Sequence, residues 1–287
     1  MKKILAIVFI AVLAIFFLIK DKDARKEADP LYTEAKAAIV LQADSGKILY
    51  EQNAKEALPI ASMSKLMTQY IVLEAIKDGH LSWDSVYKPS TAALNQSRHA
   101  VILGMDKHKT YNVRELFAAM TITSANDAAV ALAEMVSGTE KEFVKEMNKK
   151  AKQFGLRDTR FINATGLDED ETNRATARDV AAIANELLTQ YPEVLEFTRM
   201  TDFTTSEGAR LWSTNLMLPG MPQEMTGMEG LKTGYTEEAG PCFASTGIYD
   251  GKRIITVVIG VEPEGSDTST PRFELTRDLI DRYVLNK

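Results

Sequence analysis

Three short polar motifs of the 287-residue chain have the residue types of a serine-nucleophile site. In chain order they are Ser62-Met63-Ser64-Lys65, Ser124-Ala125-Asn126 and Lys232-Thr233-Gly234. A serine hydroxyl is a weak nucleophile that needs a base, and a lysine acts as one only where burial or another cation lowers its pKa. Ser62 and Lys65 are therefore a candidate nucleophile and base, and Lys232 is a candidate for the second cation.

The three motifs differ in how much information each carries alone. At average residue frequencies, a chain of this length contains on the order of one S-x-x-K and one S-x-N by chance, but far fewer than one K-T-G. Two of the motifs could also have a structural role instead of a catalytic one. Ser124-Ala125-Asn126 contains residue types that cap helices, and a lysine such as Lys232 often protects the edge of a sheet. The elements around the motifs must therefore be considered.

The nucleophile motif is predicted to begin an amphipathic helix. It follows Pro59-Ile60-Ala61, and apolar residues then recur with helical spacing until Gly79, a typical C-cap. This arrangement places Lys65 one turn after Ser62, on the same face and within reach of its hydroxyl. The N-terminus of the helix also favours negative charge that develops there.

The other two motifs are predicted to lie in a loop and at the head of a strand. Ser124 falls between a helical stretch that ends near Met120 and another that spans 127–136 and stops at Gly138. Lys232-Thr233-Gly234 opens the C-terminal strand region, where a glycine permits the close approach of a ligand.

The pattern of elements predicts an α+β fold. Two pairs of strand-like segments are joined by the turns Asp44-Ser45-Gly46 and Asp250-Gly251. The middle of the chain is mostly helical, and a final helix spans about 272–285. We therefore expect an antiparallel β-sheet flanked by helices plus a mostly helical subdomain. The strand-like segments are 37–42, 47–51, 242–249 and 252–261.

Much of residues 37–280 resembles the low-molecular-mass penicillin-binding proteins, a family of serine-type D-Ala-D-Ala carboxypeptidases. The resemblance implies the penicillin-binding/β-lactamase-like transpeptidase fold. Besides the three motifs, it extends to Asp44-Ser45-Gly46, Pro59 to Thr68, Asp127-Ala128, Phe161-x-Asn163-x-x-Gly166-Leu167, Ala177-Arg178-Asp179, and Gly230-Leu231 and Tyr235-Thr236 around the third motif.

The resemblance implies a serine D,D-carboxypeptidase that removes the terminal D-alanine from peptidoglycan stem peptides. Ser62 would attack the penultimate D-Ala carbonyl and form an acyl-enzyme, with Lys65 as its base. Ser124 would relay a proton to the departing D-Ala. β-Lactam antibiotics would acylate Ser62 as covalent inhibitors.

Substrate binding is implied by the same resemblance. Asn126 would bond the substrate amide, Lys232 and Thr233 would bind its terminal carboxylate, and Gly234 belongs to this binding set. The backbone N–H groups of Ser62 and Tyr235 would stabilise the oxyanion.

A further arginine holds the substrate carboxylate in some family members. Arg253 and Arg272 are the candidates in this chain.

Three alternatives share parts of this chemistry. A D,D-endopeptidase of peptide cross-links would use the same nucleophile, and the motifs do not separate it from a carboxypeptidase. A class A β-lactamase needs a deacylating carboxylate, for which Glu169 is the best local match; it lies in an acidic patch that we interpret as a solvated loop. A non-catalytic β-lactam sensor is disfavoured because the motif residues are intact.

The N-terminus has the pattern of an export signal. Lys2 and Lys3 precede an apolar run, 4–19, that ends without a small-residue cleavage site. We expect an uncleaved anchor in residues 1–20, a polar tether in 21–35 and the catalytic domain in 36–287. The protein would then face outward from a bacterial cell membrane, the alternative being secretion after cleavage. Many family members carry a second, β-rich domain and a C-terminal anchor, which this arrangement would replace.

Composition excludes several other classes. The formal net charge of −6 argues against general nucleic-acid binding, which needs a concentrated basic face. A single cysteine, Cys242, allows no intramolecular disulfide and is interpreted as a buried hydrophobe. The three histidines lack zinc-binding spacing, so we expect neither a metal nor a cofactor.

Overall fold

Strands from the two ends of the described chain form one sheet. The computed structural model describes residues 35–167, 171–262, 265, 267 and 269–286. The strands of the main sheet are β1 (Ala35–Gln42), β2 (Lys47–Gln52), β9 (Met228–Gly234), β10 (Cys242–Tyr249) and β11 (Lys252–Val261). Neighbouring strands are antiparallel, in the order β2-β1-β11-β10-β9.

Helices and short strand pairs fill the middle of the chain. The short strands are β3 (Leu58–Pro59) with β6 (Arg174–Ala175), β4 (Val86–Tyr87) with β5 (Tyr111–Asn112), and β7 (Asp202–Thr204) with β8 (Arg210–Trp212). The α-helices of the described residues are α1 (Lys65–Lys77), α2 (Thr91–Leu94), α3 (Val113–Ile122), α4 (Asn126–Ser137), α5 (Glu140–Gln153), α6 (Ala177–Gln190), α7 (Val194–Thr198) and α8 (Pro271–Tyr283).

Both predicted hairpins are confirmed. Gly46 turns the chain between β1 and β2 with a φ of 67°, a conformation that glycine adopts without steric cost. Asp250 and Gly251, at 49° and 73°, make a two-residue turn between β10 and β11. Positive φ at both central residues matches the twist of the flanking strands, which is why this dipeptide marks a hairpin.

Strand β11 is buried on both faces of the sheet, which makes the molecule layered. Ile255, Val257 and Ile259 pack into a core with α1 to α7. Ile254 and Val258 point the other way, into a second core with α8. Alternate side chains of a strand face opposite sides, so helices cover both faces. The predicted α+β fold is confirmed.

The nucleophile segment differs from its prediction. Residues Ala61–Ser64 form one turn of 3₁₀ helix, and the α-helix begins only at Lys65. Helix α1 is also not amphipathic, since every residue from 65 to 73 is buried. Other helices surround it, so it has no solvent face there. The glycine C-caps at Gly79 and Gly138 are as predicted, with φ of 76° and 80°.

The predicted anchor lies outside the described residues, as does the tether except for Ala35, which is the first residue of β1. Within the described ranges, no helix has both the length and the apolar composition needed to cross a bilayer.

Candidate active site

Ser62 lies on a backbone segment held between two glycines. The preceding residue, Ala61, is fully buried with a φ of 45°, a strained conformation for a residue with a Cβ. On one side lies Gly166, where a Cβ would stand 1.9 Å from the Ala61 carbonyl oxygen. On the other lies Gly234, where a Cβ would stand 3.2 Å from the Ser62 nitrogen. Close approach of both glycines therefore restrains the backbone at the candidate nucleophile.

Lys65 is the hub of the hydrogen bonds around the nucleophile. Its Nζ lies 3.0 Å from Ser62 Oγ and 2.6 Å from both Asn126 Oδ1 and the Thr165 carbonyl oxygen. The side chain is fully buried. Burial lowers its pKa well below the usual value, and the cation of Lys232 lowers that pKa further. Lys65 therefore has the environment of a base.

Two carboxylates act on Lys65 in the opposite direction. Glu140 and Asp127 raise its pKa, by less than burial lowers it. Glu140 accepts a hydrogen bond of 2.9 Å from the Ala164 N–H, beside the carbonyl that Lys65 contacts. Asp127 accepts bonds of 2.8 and 2.9 Å from the N–H groups of Leu103 and Gly104. Both carboxylates therefore also fix loops next to the site.

Lys232 is the second buried lysine. It is 1% exposed, and its Nζ donates to the Thr233 carbonyl oxygen at 3.1 Å. Burial lowers its pKa to about 7, with a contribution from the cation of Arg272. No carboxylate lies within ion-pair distance of either lysine in the part of the chain that the structure describes. Lys232 is thus a buried cation without a paired anion among the described residues.

Ser124 lies at a strained bend between α3 and α4. Its φ is 70°, and only 7% of the residue is exposed. Ala125 holds the N-cap position of α4 and makes no capping side-chain bond, so the competing interpretation of this motif as a helix cap is wrong. Asn126 is the first residue of α4, and its side chain is used by Lys65 instead.

Strand β9 brings the third motif to the nucleophile. Gly234 packs against residues 60–62, as the Cβ distances show. Thr233 is buried, and its Oγ1 lies 2.7 Å from Thr214 Oγ1. Tyr235 follows with 47% of its surface exposed, so its side chain lies at the surface.

The two candidate arginines lie at different ends of the sheet. Arg272 is buried and donates to the Gly234 carbonyl oxygen at 2.8 Å, next to the third motif. Arg253 pairs with Ile248 on β10 and donates to Glu229 Oε2 at 2.8 Å. Val258, which lies near the Gly234 end, follows Arg253 by five positions on β11, a distance of about 16 Å along the strand. Arg272 is therefore the arginine that accompanies the site.

Sequence reasoning missed several contributors to the site. The Thr165 carbonyl has no sequence signature, although the nearby Phe161 to Leu167 segment marked the region. Glu140 and Thr214 belong to no motif that was considered. Beside Thr165 lies a cavity of about 720 Å³, whose lining includes Gln96, Glu140 and Leu167.

The remaining expectations concern side chains away from this geometry. Glu169 lies outside the described residues, between 167 and 171. Cys242 is a fully buried thiol, as interpreted. Among the residues that the structure describes, no cluster of histidine, cysteine or acidic side chains could hold a metal.

Sequence comparison finds a matching family and similar proteins for this chain. The family model described as D-alanyl-D-alanine carboxypeptidase, peptidase family S11, matches residues 23–263. The D-alanyl-D-alanine carboxypeptidase DacF of Bacillus subtilis is 36% identical over 266 residues, which cover 91% of this chain. The match covers 66% of that relative, so the chain spans slightly less than two thirds of its length.

Structure comparison agrees with the sequence match. Penicillin-binding protein D2 of Listeria monocytogenes, solved in a cefotaxime-bound form, is 41% identical with a TM-score of 0.78; the match covers 88% of this chain and 97% of that one. A peptidoglycan synthesis regulatory factor (PBP3) of Streptococcus pneumoniae is 37% identical with a TM-score of 0.84, over 88% of this chain and 72% of that one. With a family model that matches residues 23–263, the chain belongs to the S11 peptidase family of D-alanyl-D-alanine carboxypeptidases.

Proposed function

We propose that the protein is a serine D,D-carboxypeptidase that removes the terminal D-alanine from peptidoglycan stem peptides. The observation that carries the proposal is the position of the buried Lys65 amine, 3.0 Å from Ser62 Oγ. Family membership supports the reaction, and the cefotaxime-bound relative supports acylation by β-lactams.

Hydrogen-bond geometry explains how Lys65 would act as the base. A neutral amine has two hydrogens and one lone pair. Asn126 Oδ1 and the Thr165 carbonyl oxygen, both at 2.6 Å, accept the two hydrogens. The lone pair then faces the Ser62 hydroxyl and takes its proton as Oγ attacks the penultimate D-Ala carbonyl. Burial and the Lys232 cation keep the amine neutral by lowering its pKa.

The oxyanion that forms during the attack needs fixed donors. The Ser62 N–H is held in place by Ala61 and by the close packing of Gly234. Tyr235 follows Gly234 directly, and its backbone N–H would supply the second donor. Donors that are fixed before the reaction stabilise the developing charge without reorganising.

The departing D-alanine carries the carboxylate that the cationic end of the cleft would bind. Lys232 and Thr233 would contact it directly, and Arg272 adds positive charge behind the strand. Ser124 would return a proton to the leaving amine. Water would then attack the ester, with Lys65 acting again as base. The cavity beside Thr165 offers space for the rest of the stem peptide.

The nucleophile assignment is tested with a fluorescent penicillin. Replacing Ser62 by alanine should abolish covalent labelling, because among the described residues no other hydroxyl is hydrogen-bonded to Lys65. The matched control is Ser45→Ala, in the exposed turn between β1 and β2, which should label like the wild type. Undiminished labelling of Ser62→Ala would refute the proposed nucleophile.

The reaction is tested with purified muropeptides. Incubation with monomeric pentapeptides should release free D-alanine at a steady rate. Release of monomers from cross-linked dimers instead would make the protein a D,D-endopeptidase. Rapid hydrolysis of penicillin would identify a β-lactamase, and a single acylation without turnover would identify a sensor.

We also propose that residues 1–20 anchor the protein at the outer face of a bacterial cell membrane. Two lysines followed by the apolar run 4–19 support this, as does the lack of a small-residue cleavage site. A mass spectrum of the mature protein tests it. An intact N-terminus in the membrane fraction supports the anchor, whereas loss of these residues would show secretion after cleavage.

A further inference from the structure

We infer that Thr214 is a positioning residue that sets the preference of the site for a substrate carboxylate. The inference rests on the proposed function, because it assigns Thr214 a part in binding the terminal carboxylate through Thr233. It concerns a residue outside all three motifs.

Thr214 connects the second motif to the third. It lies just after β8, and its backbone N–H donates to the Ile122 carbonyl oxygen at 3.1 Å, at the end of α3 and two residues before Ser124. Its hydroxyl reaches in the other direction, to within 2.7 Å of Thr233 Oγ1. The residue is therefore anchored through its backbone and acts through its side chain.

The hydrogen bond between the Thr214 and Thr233 hydroxyls can reverse its direction when a substrate binds. Each threonine hydroxyl has one hydrogen to donate and two lone pairs. In the structure Thr233 donates to Thr214. A carboxylate only accepts, so Thr233 must turn its hydrogen toward the substrate when the substrate binds. Thr214 can then donate its own hydrogen to Thr233, which keeps both hydroxyls bonded.

This reversal would strengthen the bond to the substrate. A hydroxyl that receives a hydrogen bond becomes a better donor, and bonds in such a chain reinforce one another where water is scarce. Thr233 is only 6% exposed, so little water is available to replace Thr214. Without the Thr214 hydroxyl, Thr233 would donate to the substrate carboxylate without receiving a hydrogen bond itself.

The test uses two thioester substrates that differ only in the charge of the leaving group. Both are N-acylated D-alanyl thioesters; one releases thioglycolate and the other its neutral methyl ester. For Thr214→Val, we expect kcat/KM for the charged substrate to fall about tenfold, the size of one or two lost hydrogen-bond contributions. The value for the neutral substrate should stay within twofold. Thr214→Ser, which keeps the hydroxyl, should behave like the wild type.

Other outcomes separate the possibilities. An equal loss for both substrates in Thr214→Val would overturn the inference, since it would indicate a structural role. No loss for either would overturn it too. Thioester hydrolysis needs only an active Ser62, so the kcat/KM values of variant and wild type can be compared whatever the activity on muropeptides. A wild type that hydrolyses thioesters but releases no D-alanine from muropeptides would refute the proposed function and leave this inference testable.

Discussion

At the beginning of strand β9, Glu229 accepts bonds from Arg199 and Arg253, whereas at its end the buried Lys232 has no paired carboxylate among the described residues. The two positions are three residues, or about 10 Å, apart on one strand. One end thus compensates its charges within the fold. The other leaves a cation where a substrate anion is proposed to bind.

The two ends also differ in the surroundings of their charged groups. At the first end, Glu229 and Arg253 are partly buried, and each is hydrogen-bonded to an opposite charge. At the second, burial lowers the pKa of Lys232 to about 7, and Lys232 in turn lowers that of Lys65. A buried charge without a partner destabilises a fold. Groups with strongly shifted pKa values are nevertheless concentrated at functional sites, because catalysis uses the shifted values. The fold therefore carries an energetic cost at the end where the chemistry is proposed to occur.

Replacing Lys232 by methionine should produce the largest change. We expect kcat/KM for a D-Ala-D-Ala peptide to fall about 100-fold, because a charge-assisted bond to the carboxylate is lost. The same variant should be more stable to unfolding, by on the order of 2–4 kcal/mol at pH 7, since the buried cation is gone. Steady-state kinetics and urea denaturation measure the two effects.

The stability gain has a defined pH dependence. Because the folded pKa of Lys232 is lowered, its cost is greatest below pH 7 and disappears as the pH rises toward the ordinary lysine value. The advantage of the variant should therefore shrink between pH 7 and about 10.5. A variant less stable than the wild type at pH 6 would contradict the comparison of the two ends.

The pH profile of the wild type gives the next effect in size. As the proposed base, Lys65 must be neutral, so kcat/KM should rise as the pH rises through its lowered pKa. As the proposed carboxylate-binding cation, Lys232 must be charged in the free enzyme, so kcat/KM should fall as the pH rises through about 7. The profile should be bell-shaped. In Lys232→Arg, whose side chain stays charged, only the alkaline limb should move, and it should move to higher pH.

A neutral residue at 232 should move the other limb. Since the cation of Lys232 lowers the pKa of Lys65, its removal raises that pKa. The acid limb of Lys232→Met should therefore lie at a higher pH than that of the wild type. An unchanged acid limb would show that the two lysines do not interact.

The sequence predicts the hairpins of the sheet but not the backbone conformation of the candidate site. Dipeptides such as Asp250-Gly251 and alternating apolar residues are local signals, so both hairpins could be predicted. The bend at Ala61 is not local. It is imposed by Gly166 and Gly234, which are distant in sequence and reach the segment only in the folded chain. The local sequence therefore predicts a helix that begins at Ser62, whereas the structure has a 3₁₀ turn there.

The partners of the site residues show the same limit. The motifs named Ser62, Lys65 and Asn126, but nothing in them predicts that one amine contacts both other side chains. The choice between Arg253 and Arg272 also depends on strand register, which fixes which end of β11 lies near Gly234. Register follows from pairing across the sheet and is not encoded in either arginine's neighbours.

Replacing Glu229 by glutamine tests the compensated end and should give the smallest change in activity. The side chain keeps its shape but loses the charge that pairs with Arg199 and Arg253. Because Glu229 and Arg253 are partly buried whereas Arg199 is exposed, we expect the free energy of unfolding to fall by only about 1 kcal/mol. Labelling by fluorescent penicillin should stay within twofold, since Glu229 lies about 10 Å along the strand from Lys232. Opposite signs of the stability changes in Glu229→Gln and Lys232→Met would establish the contrast between the two ends, and a tenfold loss of labelling in Glu229→Gln would break it.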